Sequence, residues 1–140
     1  MRDLKFRAWD KRGKKMYDVV WLATYGTIKR HALLNIYSAE ADDGEAPIIK
    51  IHEVYLEIMQ YTGLKDKNGA EIYEGDVIKT PHERKDAYLL SKVIFHYGEF
   101  ALDTITDVRD DNYFLCDNIT YFANEVIGNI YENPELLEGE

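Results

Sequence analysis

The sequence predicts an all-β protein, mainly strand with one or two short helical turns. Three observations carry this. Apolar and polar residues alternate over short segments such as Leu4 to Trp9 and Ile48 to Ile58, the two-residue period of a half-buried strand. β-branched and aromatic residues crowd other segments, such as Met16 to Leu22 and Tyr88 to Tyr97. Turn-forming residues separate these segments, most densely at Asp66-Lys67-Asn68-Gly69.

Each element follows in order. Leu4, Phe6 and Ala8 alternate with Lys5, Arg7 and Trp9; Asp10 to Lys14 is a turn, and Met16 to Leu22 is the returning strand, so the chain opens with a hairpin. Thr27 to Ser38 fits neither period cleanly and reads as a strand interrupted by loop; Ser38 to Pro47 (SAEADDGEAP) reads as surface loop. Ile48 to Ile58 is one alternating strand. Ile58 to Leu64 and Ala70 to Tyr73 pair across the Asp66-Lys67-Asn68-Gly69 turn, and Gly75 allows a bend or bulge before Val77-Ile78. Asp66, Asn68, Gly69 and Gly75 are thus structural turn residues. Thr80-Pro81-His82-Glu83 has the composition of a capping box, which predicts a short helical turn. Tyr88 to Tyr97 and Glu99 to Leu102 are strands joined at Gly98, and Asp103 to Asn112 is a polar loop. Tyr113 to Leu115 and Glu125 to Tyr131 are the last strands, and Asn133-Pro134 ends the fold before a one-turn helix or an acidic tail.

The stretch LEIMQYTGLKDKNGAEIYEGDVI, from Leu56 to Ile78, resembles the signature of the YopX-like family of uncharacterised phage and prophage proteins, with its QYTGLKDKNG and IYEGD segments. Phe6-Arg7-Ala8-Trp9-Asp10 with Lys15-Met16 is similar to the family's opening, and Val126 to Leu137 (VIGNIYENPELL) to its close. The resemblance is weak or absent across Trp21 to Ala46 and Pro81 to Leu90. It implies a fold and a phage setting, without an activity or catalytic residues to transfer. Together with the five or so short, glycine-bent strands from Leu56 to Tyr131, it implies a small SH3-like barrel with the N-terminal hairpin region packed on it. The expected division is an N-terminal β-rich subdomain over 1–55, the barrel over 56–134, and an acidic tail over 135–140.

Length and composition bound the rest. At 140 residues, 46% hydrophobic and 13% aromatic, the chain can bury a core as one domain or two small subdomains. No apolar run approaches the roughly 20 residues of a membrane helix, and the opening Met-Arg-Asp has no apolar segment behind it. The single cysteine, Cys116, excludes an internal disulfide and fits a reducing compartment. A soluble protein of the bacterial host's cytoplasm, without membrane attachment, is therefore expected, and Asn118-Ile119-Thr120 is then no glycosylation site. The net charge of −9 is unevenly spread. Met1 to Lys15 holds seven basic residues against Asp3 and Asp10, and Glu99 to Glu140 holds eleven acids against Arg109 alone. So acidic a body disfavours general nucleic-acid binding, while the polarity suits assembly of one copy's basic start with another's acidic end.

Reaction chemistry is sparse. Asp66, Asn68, Glu71, Glu74 and Asp76 do not make a calcium loop, since Gly69 arrives fourth instead of sixth. His82-Glu83 lacks the second histidine of a zinc-protease helix, because Asp86 stands there. Asp103, Asp107, Asp110 and Asp111 form the best acidic cluster, able in principle to hold magnesium, although aspartate loops in acidic proteins are ordinarily solvated surface. Cys116, within Tyr113-Phe114-Leu115-Cys116, reads as a small buried residue beside four scattered histidines. No glycine-rich phosphate loop occurs, so no cofactor is expected. Phe6, Arg7, Trp9, Lys11 and Arg12 interleave aromatic and basic groups as single-strand-binding surfaces do, or simply alternate in a strand whose turn is solvated by lysines. Eleven tyrosines exceed what the core needs and suit contact surfaces.

The functional expectation is a non-enzymatic protein-interaction module, self-associating or acting on a host or phage protein through its acidic face. Two alternatives stand beside it: a nucleic-acid-associated accessory protein using the basic aromatic N-terminus, and a metal-dependent enzyme around Asp107, Asp110 and Asp111.

Overall fold

The computed structural model describes residues 3–25, 29–35, 48–52, 55–81, 87–105, 113–114 and 123–138. The expected loop over Ser38 to Pro47 lies outside these residues, as do His82-Glu83, Asp107, Asp110, Asp111, Cys116 and Asn118 to Thr120. The described residues form an all-β protein whose strand pairings are all antiparallel. They divide into two compact units, Lys5–Gln60 and Met1–Leu4 with Tyr61–Glu140.

In the unit Lys5–Gln60, strands β1 (Phe6–Asp10) and β2 (Lys15–Tyr25) form the opening hairpin, with Ala8 opposite Tyr17. Asp10 closes its turn: the carboxylate accepts from Arg12 N–H at 2.9 Å and the carbonyl from Lys14 N–H at 2.8 Å. Strands β3 (Lys29–Asn35) and β4 (Ile48–His52) continue the sheet on the far side of β2. The first half of β5 (Leu56–Lys65) pairs with β1, giving the order β4-β3-β2-β1-β5. Ala8 and Leu56 are the buried centre, packed by Tyr17, Val19 and Ile58.

The expectation of one strand from Ile48 to Ile58 is corrected here, since β4 pairs with β3 and β5 pairs with β1. Alternation reports which face a residue uses and says nothing of which neighbour the strand bonds. Four residue-to-residue steps lead from His52 to Leu56, a reach of about 14 Å at most. Across a flat sheet those residues would be about 30 Å apart, given strand spacing and the length of β2. The sheet must therefore coil, and β2 carries a register shift between Val19 and Trp21 where an added residue sharpens the bend.

In the unit containing Tyr61–Glu140, the second half of β5 pairs with β6 (Glu71–Tyr73) through a register shift between Tyr61 and Lys65. Strands β7 (Asp76–Pro81), β8 (Tyr88–His96), β9 (Glu99–Thr104), β10 (Tyr113–Phe114) and β11 (Glu125–Asn129) form a sheet in the order β10-β9-β8-β7-β11. Ile72, Ile78, Val93 and Leu102 are buried together, with Leu64, Phe100 and Val126 packed on them. A 3-10 turn, Pro134–Leu137, follows.

Two further corrections concern this sheet. Thr80 and Pro81 continue β7 opposite Leu89 and Tyr88, in place of opening a helical turn. The Thr80 hydroxyl donates to Asn124 Oδ1 at 2.8 Å, and Pro81 sits at the strand's end, where a missing N–H is tolerated. Asp103 and Thr104, expected in a loop, extend β9 opposite Lys92 and Ser91.

Ile78 lies at the centre of the Ile72–Val93–Leu102 cluster and is fully buried. Ile78→Ala is expected to destabilise the protein by about 2–5 kcal/mol, the cost of lost transfer energy plus the cavity. Urea denaturation checks this; a loss under about 1 kcal/mol would mean that the cluster is not a packed core.

Candidate functional site

The most densely bonded polar groups of the described chain lie in Leu56 to Ile78 and where it meets β11. Thr62 donates through Oγ1 to the Ile72 carbonyl at 2.8 Å and accepts from Leu64 N–H at 3.2 Å, holding the irregular part of β5 beside Gly63, whose φ is 87°. Asp66, 8% exposed, accepts through Oδ1 from Asn68 N–H at 2.8 Å and Ala70 N–H at 2.9 Å, and through Oδ2 from Val126 N–H at 3.0 Å. Gly69 has φ 85°, which closes the loop left-handed. Burial works against the Asp66 charge, yet the N–H groups of Val126, Ala70 and Asn68, with Lys67 nearby, hold its pKa below the usual carboxylate value. Asp76, 1% exposed, accepts from Tyr73 N–H at 2.8 Å across the turn that contains Gly75, whose φ is 80°.

A second knot follows β11. Asn129 Oδ1 accepts from Tyr131 N–H at 3.1 Å and Glu132 N–H at 2.9 Å, while its Nδ2 donates to Glu132 at 2.6 Å. A Cβ on Gly128 would come within 2.5 Å of Asn133 Oδ1, so a side chain there would force Asn133 to shift from its contact with Asn129 N–H. Ile130 N–H reaches back to the Gly75 carbonyl at 2.9 Å. Chemically, the Asp66 and Asp76 carboxylates and the Asn129 side-chain oxygen are acceptors for backbone N–H groups.

The sequence-predicted surface residues are dispersed. Trp9 is 7% exposed and Phe6 and Arg7 are half-buried. Lys11 ion-pairs with Glu57, and the Arg12 guanidinium lies 4.4 Å over the Tyr55 ring. Asp103 approaches Lys92 at 3.3 Å; its expected companions Asp107, Asp110 and Asp111 lie outside the described residues. Among the described residues no group of three or more His, Cys, Asp or Glu side chains could hold a metal ion. Among them, too, no helix is long and apolar enough to cross a membrane.

Two surface features escaped the sequence reading. The β8–β9 hairpin ends in Tyr97, 92% exposed, beside Phe95, 54% exposed. The start of β8 borders a groove of about 260 Å³ lined by Lys67, Lys79, Pro81, Tyr88 and Glu125. The only sequence cue to the first was an aromatic before Gly98, where Asn or Asp is the common choice. The second had none, because Lys67, Lys79 and Glu125 are far apart in the chain.

Asp66→Asn is expected to cost about 1–3 kcal/mol at neutral pH, since three backbone N–H donors lose a buried carboxylate acceptor. Because the folded pKa is depressed, this stabilisation is complete above the unfolded carboxylate's pKa of about 3.9 and disappears as pH falls through the folded value. Melting curves should therefore show a gap between wild type and variant at pH 7 that narrows below about pH 4; a gap constant down to pH 2 would exclude a role for the charge.

The family described as YopX protein matches residues 5–138. The SPbeta prophage-derived uncharacterized protein YopX of Bacillus subtilis (strain 168) is 34% identical over 71 residues, 51% of this chain; the match spans about half (53%) of that protein's length. The crystal structure of protein EF1440 from Enterococcus faecalis superposes with a TM-score of 0.65 at 29% identity, covering 98% of this chain and 99% of that one. That of yopX from Bacillus subtilis gives 0.64 at 21%, with the same coverage. With an all-β fold shared with both and a match over nearly its whole length, the chain belongs to the YopX family.

Proposed function

We propose that this chain is a phage- or prophage-encoded accessory protein that works as a non-enzymatic protein-interaction module in the bacterial cytoplasm, occupying a basic surface of a host protein with its acidic face. The observation that carries the reading is the division of labour among side chains. Thr62, Asp66, Asp76 and Asn129 serve the backbone, while Phe95, Tyr97 and Tyr88 are left exposed. Exposed aromatics on a body of net charge −9 suit a protein contact better than a reaction. We also read the unit holding β7 to β11 as a small SH3-like barrel, supported by its short antiparallel strands and glycine bends.

A nucleic-acid role is the second reading, favoured by Arg12 over Tyr55 and by Lys15 over Tyr17 at 5.4 Å. The global charge opposes it.

The two separate by experiment. A pull-down from host lysate at low salt should enrich one basic protein, with enrichment falling several-fold when Asp103 and Glu99 are changed to Asn and Gln. No enrichment, with salt-sensitive single-strand binding that is lost in an Arg7, Lys11 and Arg12 triple-alanine variant, would overturn the first reading in favour of the second.

A further inference from the structure

We infer that the β8–β9 hairpin tip of one copy docks into the groove at the opposite end of β8 on a second copy, giving a head-to-tail assembly. This deepens the interaction-module reading and rests on it.

The tip is not explained by its own turn. Tyr97 and Gly98 both have left-handed backbone, φ 49° and 87°, as a two-residue type I′ connection requires. Asn, Asp or Gly enters that geometry easily, whereas an aromatic residue is strained in it. Packing does not explain Tyr97 either, because the residue is almost wholly exposed. Around it stand His96, ring centroid 4.0 Å away, and Phe95, which meets Phe100 edge-on at 5.1 Å. Glu99 supplies the one acid of this aromatic cap.

The groove has complementary size and charge. About 260 Å³ is ample for one aromatic ring, since roughly 150 Å³ accommodates benzene. Lys67 is matched by Glu125 at 2.7 Å, whereas the Lys79 ammonium lies 4.3 Å over the Tyr88 ring and meets no carboxylate among the described residues. Among the described lining residues two lysines stand against one glutamate, which offers Lys79 to an incoming Glu99.

The placement selects a second copy as donor. Tyr88 opens β8 and His96 closes it, so groove and tip lie about 26 Å apart at the usual rise per residue. A tip cannot reach its own groove. The contact uses two different surfaces and so propagates as a ring or a chain.

Sedimentation velocity of the full chain over a concentration series tests this. The weight-average mass should rise with concentration for wild type. Tyr97→Asn should remain monomeric while melting at or above the wild-type temperature, because the change removes the ring and eases the turn. Lys79→Glu and Glu99→Lys should each weaken association tenfold or more, and the double variant should recover most of it. Association that is unchanged in Tyr97→Asn would overturn the inference while leaving an interaction module that uses another surface. A wild type that stays monomeric at every concentration would overturn it as well, and host-protein capture would then decide the broader reading separately.

Discussion

The Asp66 carboxylate is the contact on which the signature stretch depends. It is a buried charge compensated by three backbone N–H groups, two in its own turn and one on β11, sixty residues away, with Lys67 nearby. Lys67 N–H, bonded to the Asn124 carbonyl at 3.0 Å, lies beside this bridge, and Thr80 meets the Asn124 side chain forty-four residues on. Local turn and long-range strand placement are thus coupled through one side chain. Replacing water around a carboxylate is favourable only when its donors are preplaced, so the loop must be formed before the contact stabilises it.

Much of the fold was legible because backbone demands appear in residue types. Asp66, Asn68 and Gly69 announce a turn through the conformations they permit, and the alternation in Phe6 to Asp10 announces a strand. What escaped has a common cause: local composition does not report partners. Thr80 and Pro81 carry helix-start chemistry, but β8 on one side and Asn124 on the other keep them extended. Ile48 to Ile58 alternates without a break although the chain exchanges β3 for β1. Of the candidate site, the turn residues could be read directly, but the groove could not, since its walls come from four separate segments.

The residues that make this family recognisable are absorbed by architecture. Resemblance in Leu56 to Ile78 and Val126 to Leu137 therefore conveys shape, and a chemistry carried by loops or a hairpin tip could differ among proteins that share it. That is why matching 5–138 to the family places this chain in a fold before it assigns a partner.

Strand β5 is paired along both halves, to β1 as far as Gln60 and to β6 from Tyr61, and it then delivers Asp66 to within hydrogen-bonding distance of Val126. One residue inserted between those points would advance Asp66 by about 3.3 Å and turn each following side chain to the opposite face. Hydrogen bonds tolerate only a few tenths of an ångström. Substitution is thus the gentler kind of change here, and altered length the more damaging one: the stretch acts as a ruler whose number of residues carries as much information as their identity.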